Sequence, residues 1–135
     1  INSTFIPPRE GVLDVLEYAH KNKIKIGFVT STTLDNIDAV FKTLNNQIKK
    51  NHFDFIGNNS QINEPKPAPD IYIKALNSLE LKSSECIAIE DTVESALSAD
   101  RAKIKCIAFP GLFHVDDDFS FCVKKLDKLN TSIFN

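Results

Sequence analysis

The sequence predicts an α/β fold, a parallel sheet with helices on both faces, and three observations carry that prediction. Short apolar runs rich in β-branched residues alternate with longer segments of helical period along most of the chain. The runs are apolar beyond strict alternation, as expected of strands buried on both faces. The connections between them are short, as in a sheet wound through crossover helices. With 135 residues, 42% of them hydrophobic and 25% charged, the chain has the makings of one core.

The elements follow in order. Val12, Leu13, Val15, Leu16, Tyr18 and Ala19 recur at helical spacing after Pro7, Pro8 and Gly11, which predicts a helix from about Arg9 to Asn22. Ile24–Val29 reads as a buried parallel strand. The helical period returns over Leu34–Leu44, with Asp35 and Asp38 in the first turns, where the macrodipole favours negative charge. Phe53–Ile56 is a second strand, closed by Gly57. The segment Glu64-Pro65-Lys66-Pro67-Ala68-Pro69-Asp70 holds too many prolines to be helical throughout, so it is a rigid approach to a helix. That helix is expected over Pro69–Leu79, burying Ile71, Ile73, Ala75 and Leu76. Cys86–Ile89, Thr92–Ala102, Ile104–Phe109 and Phe119–Leu129 then read as strand, helix, strand and terminal helix.

Composition excludes several classes of partner. Lys and Arg number 16 against 18 Asp and Glu, and only Arg9 and Arg101 offer guanidinium forks, so no nucleic acid partner is expected. No window reaches the run of about 18 apolar residues that a membrane span requires, so no membrane partner is expected either. The cysteines, Cys86, Cys106 and Cys122, are odd in number and lack zinc-site spacing, which fits a reducing, cytoplasmic location. The histidines His20, His52 and His114 lie on polar stretches and read as surface.

In open α/β sheets, ligands bind beyond the carboxyl ends of the strands, and two such ends are unusual here. Ile24–Val29 runs into Thr30-Ser31-Thr32-Thr33, where hydroxyls and helix N-terminal amides suit an anionic oxygen, although plain capping is their commoner use. Cys86–Ile89 runs into Glu90-Asp91-Thr92, whose adjacent acids suit a hard divalent cation, although one of these residues capping the next helix explains part of the pattern equally well. Lys66, fixed between Pro65 and Pro67, is preorganised as a point charge for phosphate. Together, hydroxyls, ammonium and acids are what magnesium-dependent phosphoryl transfer needs.

The set Phe28-Val29-Thr30-Ser31-Thr32-Thr33, Lys66-Pro67-Ala68-Pro69-Asp70 and Ile89-Glu90-Asp91-Thr92 resembles motifs II, III and IV of the haloacid dehalogenase-like (HAD) hydrolases. The most similar subgroup is that of β-phosphoglucomutase, phosphoglycolate phosphatase and the CbbY-like sugar phosphatases, over about Pro8 to Leu129. The resemblance implies a Rossmann-like HAD core forming one domain over residues 1–135. Its activity would be that of a Mg²⁺-dependent phosphatase acting on a small phosphorylated metabolite such as a sugar phosphate. It further implies that Thr30 and Ser31 hold the transferring phosphate, that Lys66 neutralises it and the attacking carboxylate, and that Asp91, with Glu90 beside it, binds Mg²⁺. A phosphosugar mutase and a non-catalytic Rossmann-like binding or regulatory module remain as alternatives.

The chain departs from the family pattern in three places. The nucleophile motif, an Asp-x-Asp after an apolar strand, is absent, and Asp116-Asp117-Asp118 reads as a solvated loop. Because the chain starts at Ile1 and contains no Met, the nucleophile strand and the substrate-selecting cap are expected to lie upstream. The central strand position would then be empty, with the strands ending at Val29 and Ile89 roughly 9 to 10 Å apart and unpaired. The resemblance also implies glycines where Ser95 and Lys103 stand, and a non-glycine in a left-handed turn costs roughly 1 kcal/mol.

Overall fold

The computed structural model describes residues 3–5, 12–30, 34–43, 49–111 and 113–134. Six strands, β1 (Ser3–Phe5), β2 (Lys25–Val29), β3 (Phe55–Gly57), β4 (Cys86–Glu90), β5 (Lys105–Ala108) and β6 (Lys124–Lys125), form one sheet in the order β3-β2-β1-β4-β5-β6. All neighbouring pairs are parallel. Four helices are described: α1 (Leu13–Lys21), α2 (Leu34–Thr43), α3 (Asp70–Leu79) and α4 (Val93–Arg101). The fold class expected from the sequence is therefore the fold observed.

The strands β2 and β4 do not pair with each other, as expected, but the position between them is filled. Ser3–Phe5 lies there, with Thr4 in register with Ile26 on one side and Ile87 on the other. The expectation of an empty central position is thus corrected: two open inner edges would leave ladder groups without partners, and three residues suffice to satisfy both edges. This central strand carries no aspartate.

Side-chain size separates the two faces of the sheet. On one, Cys86, Ala88, Cys106 and Ala108 meet Ile71, Ala75, Ala96 and Ala99 of α3 and α4, and small residues on both partners let the helices sit close to the strands. On the other, Ile26, Phe28, Ile87, Ile89 and Ile107 pack against Val15, Leu16 and Ala19 of α1, Ile37 and Phe41 of α2, and Ile133. Fully burying side chains such as Leu16, Ile37 and Ile107 contributes about 1.5–3 kcal/mol each.

Two further expectations are corrected. In α3 the buried residues are Ile71, Tyr72, Ala75, Leu76 and Leu79, while Ile73 is exposed, because position 73 lies about 200° around the helix from 71. Phe119–Leu129 is no helix: Phe119 is buried in the core, and the Val123 and Leu126 amides donate to Cys106 and Ala108 at 2.9 and 2.8 Å. That segment covers the open edge of β5 as the two-residue strand β6, so edge pairing outweighs local helical spacing. The start of the expected first helix and the end of the second lie outside the described residues.

Three helices end in one way. After α1, α3 and α4, Lys23, Glu80 and Lys103 have φ of 58°, 56° and 67°, and the next residues, Ile24, Leu81 and Ile104, donate backward to Ala19, Leu76 and Ala99. This is the Schellman termination, in which a left-handed residue precedes an apolar one that turns into the core. Lys103 therefore occupies the left-handed turn that the family pattern expects of glycine.

Candidate active site

At the carboxyl end of β2, the Thr30 amide donates to the Gly57 carbonyl at 3.1 Å, which splices the end of β2 to that of β3. Thr30 is half-buried at this end, while Ser31, Thr32 and Thr33 lie outside the described residues. The proline-rich approach to α3 crosses the same edge. Its Lys66–Pro67 bond is cis, and the Ala68 amide closes a turn onto Pro65 at 3.0 Å. Helix α4 holds this turn: Ser98 Oγ donates to the Ala68 carbonyl at 2.7 Å and Arg101 Nη1 to the Pro67 carbonyl at 3.3 Å.

So held, Lys66 sends its side chain inward across the strand ends. Its ammonium donates to the Val29 carbonyl at 3.3 Å and to Glu90 Oε1 at 3.0 Å, with the Lys66 and Glu90 side chains only 4% and 8% exposed. It also lies 5.7 Å from the centre of the Tyr72 ring. Taking two charges out of water costs several kcal/mol each, which the pair offsets only with good geometry and further hydrogen bonds. Tyr72 supplies one, because its hydroxyl donates to the same Glu90 oxygen. Burial, reinforced by the charge of Glu90, pushes the Tyr72 phenol well above its ordinary value, so it remains a donor. An ammonium has three N–H donors and Lys66 uses two among the described residues, which leaves one for an anionic oxygen.

The acidic pair divides in function. Glu90 is buried and engaged with Lys66 and Tyr72. Thr92 caps α4, its Oγ1 accepting from the Ser95 amide at 3.2 Å, so the capping alternative holds for Thr92. Asp91 stands half-buried between them, outside both arrangements, and its carbonyl accepts from Gly111 at 3.3 Å. Among the described residues no group of three or more His, Cys, Asp or Glu side chains could hold a metal by itself. A carboxylate at a strand end nevertheless fits Mg²⁺, which takes one or two protein carboxylates and keeps several waters.

The structure thus brings Lys66, Glu90 and Asp91 to neighbouring strand ends, with Thr30 at the end of β2. Tyr72, Ser98 and Arg101 were not legible as site residues. The available signal for Tyr72 was chemical: a tyrosine on the apolar face of a helix needs an acceptor for its hydroxyl, and Glu90 was the acid at the end of an apolar strand.

Comparison with known proteins bears on the family of the chain. Residues 1–109 match the haloacid dehalogenase-like hydrolase family. Protein CbbY of Cereibacter sphaeroides is 29% identical over 119 residues, 88% of this chain and 52% of that protein. Protein CbbY of Rhodobacter capsulatus is 30% identical over 110 residues, 82% and 48% of the respective chains. The crystal structure of CbbY from Rhodobacter sphaeroides in complex with phosphate superposes with a TM-score of 0.82 at 29% identity, covering 89% of this chain and 53% of that one. The chain spans about half the length of these relatives. With a family match over residues 1–109, most of its length, this chain belongs to the haloacid dehalogenase-like hydrolases.

Proposed function

We propose that this chain supplies the phosphate- and metal-binding side of a Mg²⁺-dependent phosphatase that cleaves small phosphorylated metabolites, sugar phosphates among them, in the cytoplasm. The observation that carries the reading is Lys66: a buried ammonium, fixed by Val29 and Glu90 at the strand ends beside the central position, with a donor to spare. In this reading Lys66 holds a phosphate oxygen and lowers the repulsion between phosphate and an attacking carboxylate. Thr30 and Ser31 take the remaining phosphate oxygens through hydroxyl and amide donors. Asp91, with Glu90 beside it, would hold Mg²⁺, and Glu90 Oε1 orients Lys66. The bound metal neutralises the charge on the phosphoryl group.

In this reading the attacking carboxylate comes from an Asp-x-Asp strand that these 135 residues do not contain and that would have to displace Ser3–Phe5 from the centre of the sheet, and it would form an aspartyl-phosphate that water then releases. The match to a phosphate-bound relative supports the phosphate class. The test is kinetic. In the intact protein, Lys66→Ala lowers kcat about 10²-fold or more, and Asp91→Asn raises the Mg²⁺ concentration needed for half-maximal activity by a similar factor. Residues 1–135 alone hydrolyse no aryl phosphate. Unchanged kinetics in either variant, or Mg²⁺-dependent turnover by the 135-residue chain, overturns the reading.

A further inference from the structure

Helix α4 grips the turn that carries Lys66 with a contact that contributes nothing to the helix itself. A serine inside a helix commonly turns its hydroxyl back onto the carbonyl four residues earlier. Ser98, fully buried, instead donates to the Ala68 carbonyl at 2.7 Å, 30 residues away in sequence. One turn further along α4, exposed Arg101 reaches the neighbouring Pro67 carbonyl at 3.3 Å. The two carbonyls that follow Lys66 are thus tied to one helix. That helix starts at its Thr92 cap, directly after Glu90 and Asp91, so its first turn is fixed to the acidic end of β4. The contacts close a ring: β4 leads through Thr92 into α4, α4 holds Ala68 and Pro67, and the Lys66 ammonium returns to Glu90 at 3.0 Å.

We propose that Ser98 and Arg101 are positioning residues, acting through Lys66 alone: by holding the backbone just past Lys66 they fix where its remaining N–H donor points. The inference rests on the reading of Lys66 as the ammonium that holds the phosphate. A lysine is a point charge on a flexible four-carbon stem, so its ammonium stays in place only while the stem is anchored at the right distance. Glu90 Oε1, shared with the Tyr72 hydroxyl, is held by β4 and α3. A shifted turn therefore parts Lys66 from Glu90 instead of carrying Glu90 along. Misplacement of a reacting group by about 1 Å lowers the rate by about 10²-fold, so a small movement of the turn is enough to register in kcat.

The test uses the intact protein, an aryl phosphate and Mg²⁺. Ser98→Ala and Arg101→Ala each remove one tie, and the second changes an exposed side chain, so the comparison survives a failure of the buried variant to fold. Both are expected to lower kcat, Ser98→Ala by about tenfold or more. In a Lys66→Ala background neither change lowers kcat further, because a residue that acts only through Lys66 has nothing left to position. Trace acetylation with acetic anhydride reads the geometry without activity: labelling of Lys66 relative to exposed Lys74 rises in both variants. Ile107→Val, a core change on the other face of the sheet, leaves that ratio at the parent value. Parent kcat in both single variants, an undiminished further loss on top of Lys66→Ala, or an equal rise in labelling in Ile107→Val overturns the inference and leaves Lys66 its role. Parent kcat in Lys66→Ala overturns the reading of Lys66, and this inference with it.

Discussion

Lys66 and Glu90 are held by a third party, and Tyr72 is that party. A hydrogen bond to a charged partner in a buried site is worth about 1.5–3 kcal/mol, so Tyr72→Phe is expected to destabilise the protein by about 2 kcal/mol near neutral pH. The penalty should shrink in alkali. The folded phenol ionises well above the unfolded value of about 10, so its contribution is intact below that pH. Above it the unfolded chain gives up a proton that the folded chain retains, and stability falls by up to about 1.4 kcal/mol per pH unit. Urea unfolding of both proteins at about pH 7.5 and pH 11 checks this: the gap narrows at the higher pH by up to about 1.4 kcal/mol, and a gap independent of pH would remove Tyr72 from the network. Lys66, Glu90 and Asp91 were legible in the sequence because strand ends and proline-fixed positions are local features. Tyr72 was not, because its role depends on a contact with a strand eighteen residues away.

Helix ends, by contrast, carry a signal that the sequence masks. Lys23, Glu80 and Lys103 all adopt left-handed backbone, and no glycine marks any of the three turns. Each pays roughly 1 kcal/mol in backbone strain relative to glycine. Lys103→Gly is therefore expected to raise stability by up to about 1 kcal/mol, and the same change at Lys23 and Glu80 should add to it, since the three turns lie on separate helices. Denaturant midpoints of the single and triple variants measure this, and a triple variant no more stable than the parent refutes it. What did show through at this scale was the apolar residue after two of the turns, since Ile24 and Ile104 open the next strands. The misassigned terminal helix has the complementary cause: Phe119 to Leu129 has enough apolar residues for a helix, but the open edge of β5 lies outside any local window.

At the scale of the whole molecule, the parallel sheet was legible, since apolar runs separated by helices point to a parallel arrangement. The occupant of the centre was not, because Ser3–Phe5 is too short to show a period. Thr4 pairs on both sides, so Thr4→Pro removes a ladder donor at the middle of the sheet and is expected to cost about 3 kcal/mol or more. An unchanged unfolding midpoint would mean that residues 3–5 do not bridge the two halves. The same strand has a consequence during synthesis. It can pair with β2 early, but its other edge waits for residues 86–88, about eighty positions later. Throughout that interval the nascent chain exposes a strand edge at what will become the middle of the sheet, so a ribosome pausing before Cys86 prolongs the stage at which neighbouring chains can pair with it.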